Sequence, residues 1–336
     1  MCDILMDSSH MDTSYVDVAS WRSETLAGDE LMNSHRYGPV VQRALLTREL
    51  IKLRQSRKET QQVAARALRW SLSKFIRVEG GGVRLSQADL EYLLRHYNVT
   101  NEEYIKYLSD LAEGGRTRGW WQDYKLSDRA FADYIGYETD ASRMQVAQGS
   151  DIPGLLQTEP YMRAISVAYG ARDEQIEDII ALRKARQEHV GSRKAEQINI
   201  LDEAALRHKV GDTMPGQLRH LIALADKPYI TILIIPFDAG AHFGMRGPFT
   251  ILSFDFGLED ALYLESVRQG DLIIGPGSQT LPEDLKDAAP AWVDEVANYQ
   301  AEFQSMINIA LDPADSVKFF ERVLREMSLS EMPWSL

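Results

Sequence analysis

Apolar positions recur at helical spacing through most of the chain, and at strand spacing in only a few runs, all in its second half. Over 41–57, Leu45, Leu46, Leu50 and Leu53 form one stripe that also takes in Glu49, and this predicts a helix. Thr60 precedes a short segment, 61–68, with Ala64, Ala65 and Leu68 on one side. Threonine caps such a helix because its hydroxyl takes an unpaired amide of the first turn. Trp70-Ser71 marks a turn, and Ser71 can cap the next segment, 71–79, where Leu72, Phe75 and Val78 are spaced for burial. Ser73, Lys74 and Arg77 then fall on the other side. Gly80, Gly81 and Gly82 end the segment, since glycine enters the left-handed region without strain. Ser86 opens a further helix with Leu90, Leu93, Leu94 and Tyr97 inward and Asn98 at its end. Thr100 with Glu103 three residues on predicts a capping box for a helix over 102–111.

The pattern breaks at 114–119, GGRTRG, which is the expected hinge between a domain at 39–113 and a second at 120–330. Residues 1–38 show no sustained period and are expected to form a disordered tail. Beyond the hinge, helices are expected over 137–148, 159–169, 173–190, 202–210, 215–226, 293–310 and 313–327. Strands are expected over 197–201, 229–237, 248–255 and 261–266. The run YITILIIPF at 229–237 is nearly continuous in apolar, largely β-branched residues, as a central buried strand is. This order predicts an N-terminal all-α domain of about five helices. An α+β domain follows, with a small, mainly antiparallel sheet covered by helices.

Composition narrows the class. A chain of 336 residues, 44% of them hydrophobic, supports two domains with real cores. No run of eighteen apolar residues suggests a membrane span, and no basic start followed by an apolar core suggests a signal peptide, so a cytoplasmic protein is expected. The single Cys2 excludes an intramolecular disulfide and a multi-cysteine zinc site. The formal net charge is −13, yet between Arg43 and Arg84 there are eleven Lys and Arg against three Glu. A basic island in an acidic chain is the footprint of a phosphate-binding module. Two crossed helices, the second presenting short polar and basic residues, form what a helix-turn-helix needs to enter a major groove.

Enzyme chemistry finds little support. His208, His220 and His242 lack the spacing of paired metal ligands, and HExxH, Walker A and GxSxG patterns are absent. Asp202-Glu203 reads as an N-cap and a first-turn acid, and Gly275-Pro-Gly277 as a turn. No catalytic residue, metal site or cofactor is expected. The loop 238–247 joins two strands and carries His242, Phe243, Met245 and Arg246, more large side chains than a bare turn requires. It is the expected effector or partner site. Trp120 and Trp121, just past the hinge, are expected to seat one domain against the other and couple that site to the first domain.

Gln61, Ala65 and the run SKFIRVEG at 73–80 resemble the Cro/phage-repressor class of helix-turn-helix domains, the xenobiotic-response-element family. The resemblance implies double-stranded operator DNA as the partner. Carried over, it makes Gln61 a phosphate clamp supported by Arg66 and Lys74. Ser71, Leu72, Ser73, Lys74 and Arg77 complete the DNA-facing set, and Glu79 ties the end of the helix. The family usually has Gly in the turn where this chain has Arg69. A non-Gly residue there must bear positive φ or reshape the turn, at about 1 kcal/mol.

The runs GWWQDY at 119–124, IPGLLQTEPYMRA at 152–164, LDEAALRHKVG at 201–211 and the long stretch 217–252 resemble a second group. It is the C-terminal domain, of unknown function, of actinobacterial helix-turn-helix regulators. That resemblance implies a cytoplasmic transcriptional regulator, expected to repress, often encoded beside a small partner protein. One such domain offers few base contacts, so a homodimer on a palindromic site is expected. The effector would be a small molecule, a peptide or the partner protein. A second reading is an antitoxin-like protein that sequesters a small partner and autoregulates its operon.

Overall fold

The computed structural model describes residues 36–126, 128–255, 257–266, 270–274 and 295–330. Most of the expected tail, with Cys2, and the turn expected at 275–277 lie outside the described residues.

The chain begins with five helices, α1 Pro39–Ser56, α2 Gln61–Ala67, α3 Leu72–Glu79, α4 Gln87–His96 and α5 Glu102–Gly114. The local signals act as the residue types require. Thr60 Oγ1 accepts from the amide of Val63 at 3.3 Å, Ser71 Oγ from Lys74 at 3.1 Å and Ser86 Oγ from Asp89 at 3.1 Å. The cap of α5 is Asn101, whose Oδ1 accepts from the Tyr104 amide at 2.9 Å, and not the expected Thr100. At the end of α3, Gly81 takes φ 65°, and the Gly82 amide reaches back to the Arg77 carbonyl at 2.8 Å. This is the Schellman arrangement. Arg69 closes α2 in the same way at φ 53°, with the Trp70 amide on the Ala65 carbonyl at 2.9 Å. The turn keeps the geometry usually given to Gly, with an arginine in it.

The second half contains a larger sheet than the pattern suggests. Its elements are α6 Arg129–Asp140, β1 Arg143–Gln148, α7 Glu159–Ala168, α8 Asp173–Arg193, β2 Glu196–Asp202, α9 Glu203–Arg207 and α10 Met214–Ala225. They are followed by β3 Ile230–Ile235, β4 Phe249–Ser253, β5 Ala261–Leu264, β6 Asp271–Ile274, α11 Glu295–Ile309 and α12 Pro313–Ser330. The helix expected over 137–148 is corrected. It runs from 129 to 140, and the following residues form β1, the central strand, paired with β2 on one side and β4 on the other. The sheet is mixed, in order β3-β2-β1-β4-β5-β6, with β1, β2 and β3 parallel and β4, β5 and β6 joined antiparallel.

Register divides the sheet into two faces. Ala147, Ile200, Leu233, Ile251 and Leu262 pack beneath α11 through Phe303 and Met306. On the other face, Ile230, Ile232 and Ile234 of β3 pack with Leu218 and Leu221 of α10 and Phe320 of α12. The middle of that second face lies beneath α6 and α8.

The helical domain is seated firmly on this body. One cluster of buried side chains runs from Leu90 in α4 through Val41 and Trp121 to Met144 in β1 and Leu252 in β4. A Cβ on Gly136 of α6 would stand 2.7 Å from Val40 Cβ of α1, a distance real side chains do not reach. The Gly38 amide donates to Asp140 Oδ2 at 2.6 Å, and Arg43 pairs with Asp133 at 3.5 Å. The expected hinge begins inside α5, whose last residue, Gly114, lies against the Gln42 side chain.

Candidate nucleic-acid interface

Helix α3 is fixed from below by Phe75, Val78 and Glu79, all buried. Leu72, expected in that stripe, is instead 41% exposed. It is the first residue of the helix, and the side chains one and two turns further on face the core without it. Its exposure leaves it on the outer face of α3. Ser73 and Arg77 are exposed beside it, and so is Ile76 at 39%. Sequence reasoning passed over Ile76, although its spacing of four from Leu72 is the signal that would have found it. The outer face of α3 is therefore apolar, hydroxylic and cationic within two turns. Apolar side chains suit thymine methyl groups, and a guanidinium suits guanine.

Beneath that face lies a buried ionic network. Arg54 of α1 donates through Nε to Glu79 Oε1 at 2.8 Å, and Gln61 Nε2 donates to Glu79 Oε2 at 2.8 Å. Glu79 thus ties together the first three helices. The Gln61 amide nitrogen is engaged inside the protein. As the first residue of α2, however, Gln61 carries one of the backbone amides a helix leaves unpaired, and such amides attract phosphate.

The other expected DNA-facing residues differ in their freedom. Ser71 spends its oxygen on the cap and keeps its hydroxyl proton to donate. Lys74 is half-buried, pairs with Asp89 at 2.9 Å and lies 3.9 Å over the Trp70 ring. Arg66 and Arg77 are exposed, and among the described residues neither forms an ion pair. Arg69 is exposed in the turn between them. The basic island is partly neutralised on its inner side, where Arg48 and Lys52 pair with Glu49 at 3.1 and 3.0 Å. Its free cations are concentrated near α2 and α3.

The residues expected at an effector site are not brought together. Trp121 is buried in the cluster shared with α1. Trp120 stacks on His189 at 4.2 Å and donates to Thr139 Oγ1 at 3.3 Å. Phe243 belongs to the cluster under α11, on the other face of the sheet, edge-on to Phe249 and Tyr299. The His242 side chain is nearly out of solvent and reaches Asp202 Oδ2 at 3.0 Å through Nε2. Asp202 also caps α9, accepting from the Ala204 amide at 2.7 Å, as its position predicts. Arg246 lies over the Phe243 ring, while Met245 is 67% exposed.

The first five helices and their outward-facing α3 define a helix-turn-helix module joined to an α+β body. Comparison with known families agrees. Residues 45–104 match the family described as helix-turn-helix domain, and residues 131–279 match the domain of unknown function DUF5753. The chain thus carries a helix-turn-helix domain, which supports a DNA-binding regulator, and a DUF5753 domain. No curated protein and no solved structure matches it. Among the described residues, no helix is long and apolar enough to cross a membrane.

Proposed function

We propose that the chain is an XRE-type transcriptional repressor that binds a palindromic operator as a homodimer and whose body responds to an effector. The carrying observation is the outer face of α3. It presents Leu72, Ser73, Ile76 and Arg77 together, while Glu79 at its base is locked to Arg54 and Gln61. Arg77 reads a guanine edge, Leu72 and Ile76 touch thymine methyls, and Arg66 with the α2 amino end holds backbone phosphates. Two copies are needed because one such helix reads too few bases for tight binding.

A route from body to DNA is supported by α6. Phe131 and Tyr134 face α8 and the sheet, while Asp133, Gly136 and Asp140 face α1. A shift of this helix reaches the DNA-binding domain directly. The test of repression is a reporter gene placed behind DNA selected by the purified protein. Expression of the chain should lower reporter output, and a rise would overturn the repressor reading.

A further inference from the structure

Between the sheet and the two helices α6 and α8 lies a cavity of about 370 Å³. That is the size of a small-ligand site. Its floor is one register row of the sheet, Asn199 in β2, Val146 in β1, Thr250 in β4 and Tyr263 in β5. Its walls include Phe131 and Tyr134, which stack on each other at 6.0 Å, and Tyr134 also stacks on Tyr263 at 4.3 Å. Rings and aliphatic side chains thus surround a few polar groups.

Those polar groups are unevenly satisfied. Arg186 is fully engaged, donating to both oxygens of Glu138 at 2.8 and 2.6 Å. Asp151 accepts from Tyr169 Oη at 3.1 Å and from Gln148, and Asp128 from two backbone amides. Lys125 and Asp178, both exposed, also line the cavity without an ion pair among the described residues, and three further groups differ. Asn199 is 1% exposed, and its Oδ1 has no hydrogen-bond partner among the described residues. Arg183 donates only to the neutral Gln157 Oε1, at 2.9 Å, and has no carboxylate within ion-pair distance among the described residues. Glu265 stands exposed at the rim of the cavity, with no cation paired to it among the described residues.

Arg183 and Glu265 feel each other's charge without touching. Burial and the neighbouring Arg186 pull the Arg183 guanidinium down, while burial and Asp151 push the Glu265 carboxyl up. Neither has a counter-charge within ion-pair distance among the described residues. A buried acceptor without a donor is unfavourable unless a bound molecule completes it, and a cation and an anion without ion pairs at the same cavity can be met by the two charges of one molecule.

We infer that this cavity is the effector site and that it takes a small amino-acid-like zwitterion with an apolar, ring-bearing body. Its carboxylate lies on Arg183, its ammonium group lies on Glu265 at the rim, and its ring rests against Phe131, Tyr134 and Tyr263. The inference rests on the reading of the body as a sensor. It places the site on the wall of α6, the helix that also seats α1, rather than on the 238–247 loop.

The probe set is L-phenylalanine, its amine-only analogue phenethylamine and its acid-only analogue 3-phenylpropionate, titrated calorimetrically into the full chain. L-phenylalanine should bind saturably and about tenfold or more tighter than either analogue. Arg183→Met should reduce it to the level of phenethylamine, and Glu265→Gln to the level of 3-phenylpropionate. Asn199→Leu, which fills part of the cavity, should weaken all three. Each variant is first checked for the wild-type circular dichroism spectrum. No saturable binding of L-phenylalanine to folded protein, equal affinity for the three probes, or affinities untouched by Arg183→Met and Glu265→Gln would each overturn the inference. DNA binding, measured in parallel without probe, separates the outcomes: its persistence with no probe binding overturns the cavity assignment alone, and its loss overturns the regulator reading.

Discussion

Arg54 and Glu79, twenty-five positions apart in sequence, meet at 2.8 Å beneath α3, with both side chains nearly out of solvent. A buried pair contributes little net stability when intact, because desolvation offsets its attraction, but it is costly to break on one side. Glu79→Gln leaves the Arg54 charge without its counterpart and should cost roughly 3 kcal/mol in urea unfolding. The double variant Arg54→Leu, Glu79→Leu should recover most of that loss. A single variant as stable as wild type would show the pair to be solvated in solution.

Arg69 offers the opposite trade. It holds φ 53° at the end of α2, a conformation that costs a non-Gly residue roughly 1 kcal/mol. Arg69→Gly should therefore stabilise the protein by about 0.5–1 kcal/mol, read as a raised melting temperature, and should weaken DNA binding by removing an exposed cation. A variant of unchanged or lower stability would mean that the arginine makes compensating contacts.

A pH signature comes from Asp140. Burial pushes its carboxyl up to about 6, against the pull of Arg193 at 2.8 Å and the Gly38 amide. A carboxyl whose folded value is raised favours the folded state when protonated. Its contribution is full below about 4 and is lost as pH rises through about 6, a change of about 3 kcal/mol. Asp133 and Asp260 are raised in the same direction by burial. The informative quantity is therefore the difference between wild type and Asp140→Asn. Between pH 4 and 7 the wild type should lose more stability than the variant, and parallel curves would contradict the assignment.

The phosphate contacts separate by how free each cation is. Arg66 has no ion pair among the described residues, whereas Lys74 shares its charge with Asp89. Arg66→Ala should lower the slope of log affinity against log salt by about one unit, and Lys74→Ala by less. The reverse order would place Lys74 on the backbone and Arg66 away from it.

The helical domain was legible because its signals are local. Thr60, Ser71 and Ser86 cap helices whose apolar residues sit within one or two turns, and Arg69 stands where positive φ is needed. In the body the longer helices α7, α8, α10, α11 and α12 and the apolar strands β2 to β5 were legible, whereas β1 and β6 were not. β1, RMQVAQ, alternates weakly and follows a helix directly, and it becomes a central strand only through Glu196–Leu201 on one side and Phe249–Ser253 on the other. In the 238–247 loop the setting of His242 was not legible, because its partner, Asp202, is forty residues away. The cavity could not be read at all, since Asn199, Arg183 and Glu265 come from three separate elements and acquire meaning only from which partners they lack.

The claim that α3 reads sequence is tested most directly by selecting bound fragments from a random DNA pool with the full chain, then titrating Arg77→Ala on the selected site and on random DNA at one salt concentration. A two-fold symmetric site should emerge. Arg77→Ala should lose about 1–3 kcal/mol on that site and much less on random DNA. No enriched sequence, or an equal loss on both DNAs, would contradict it.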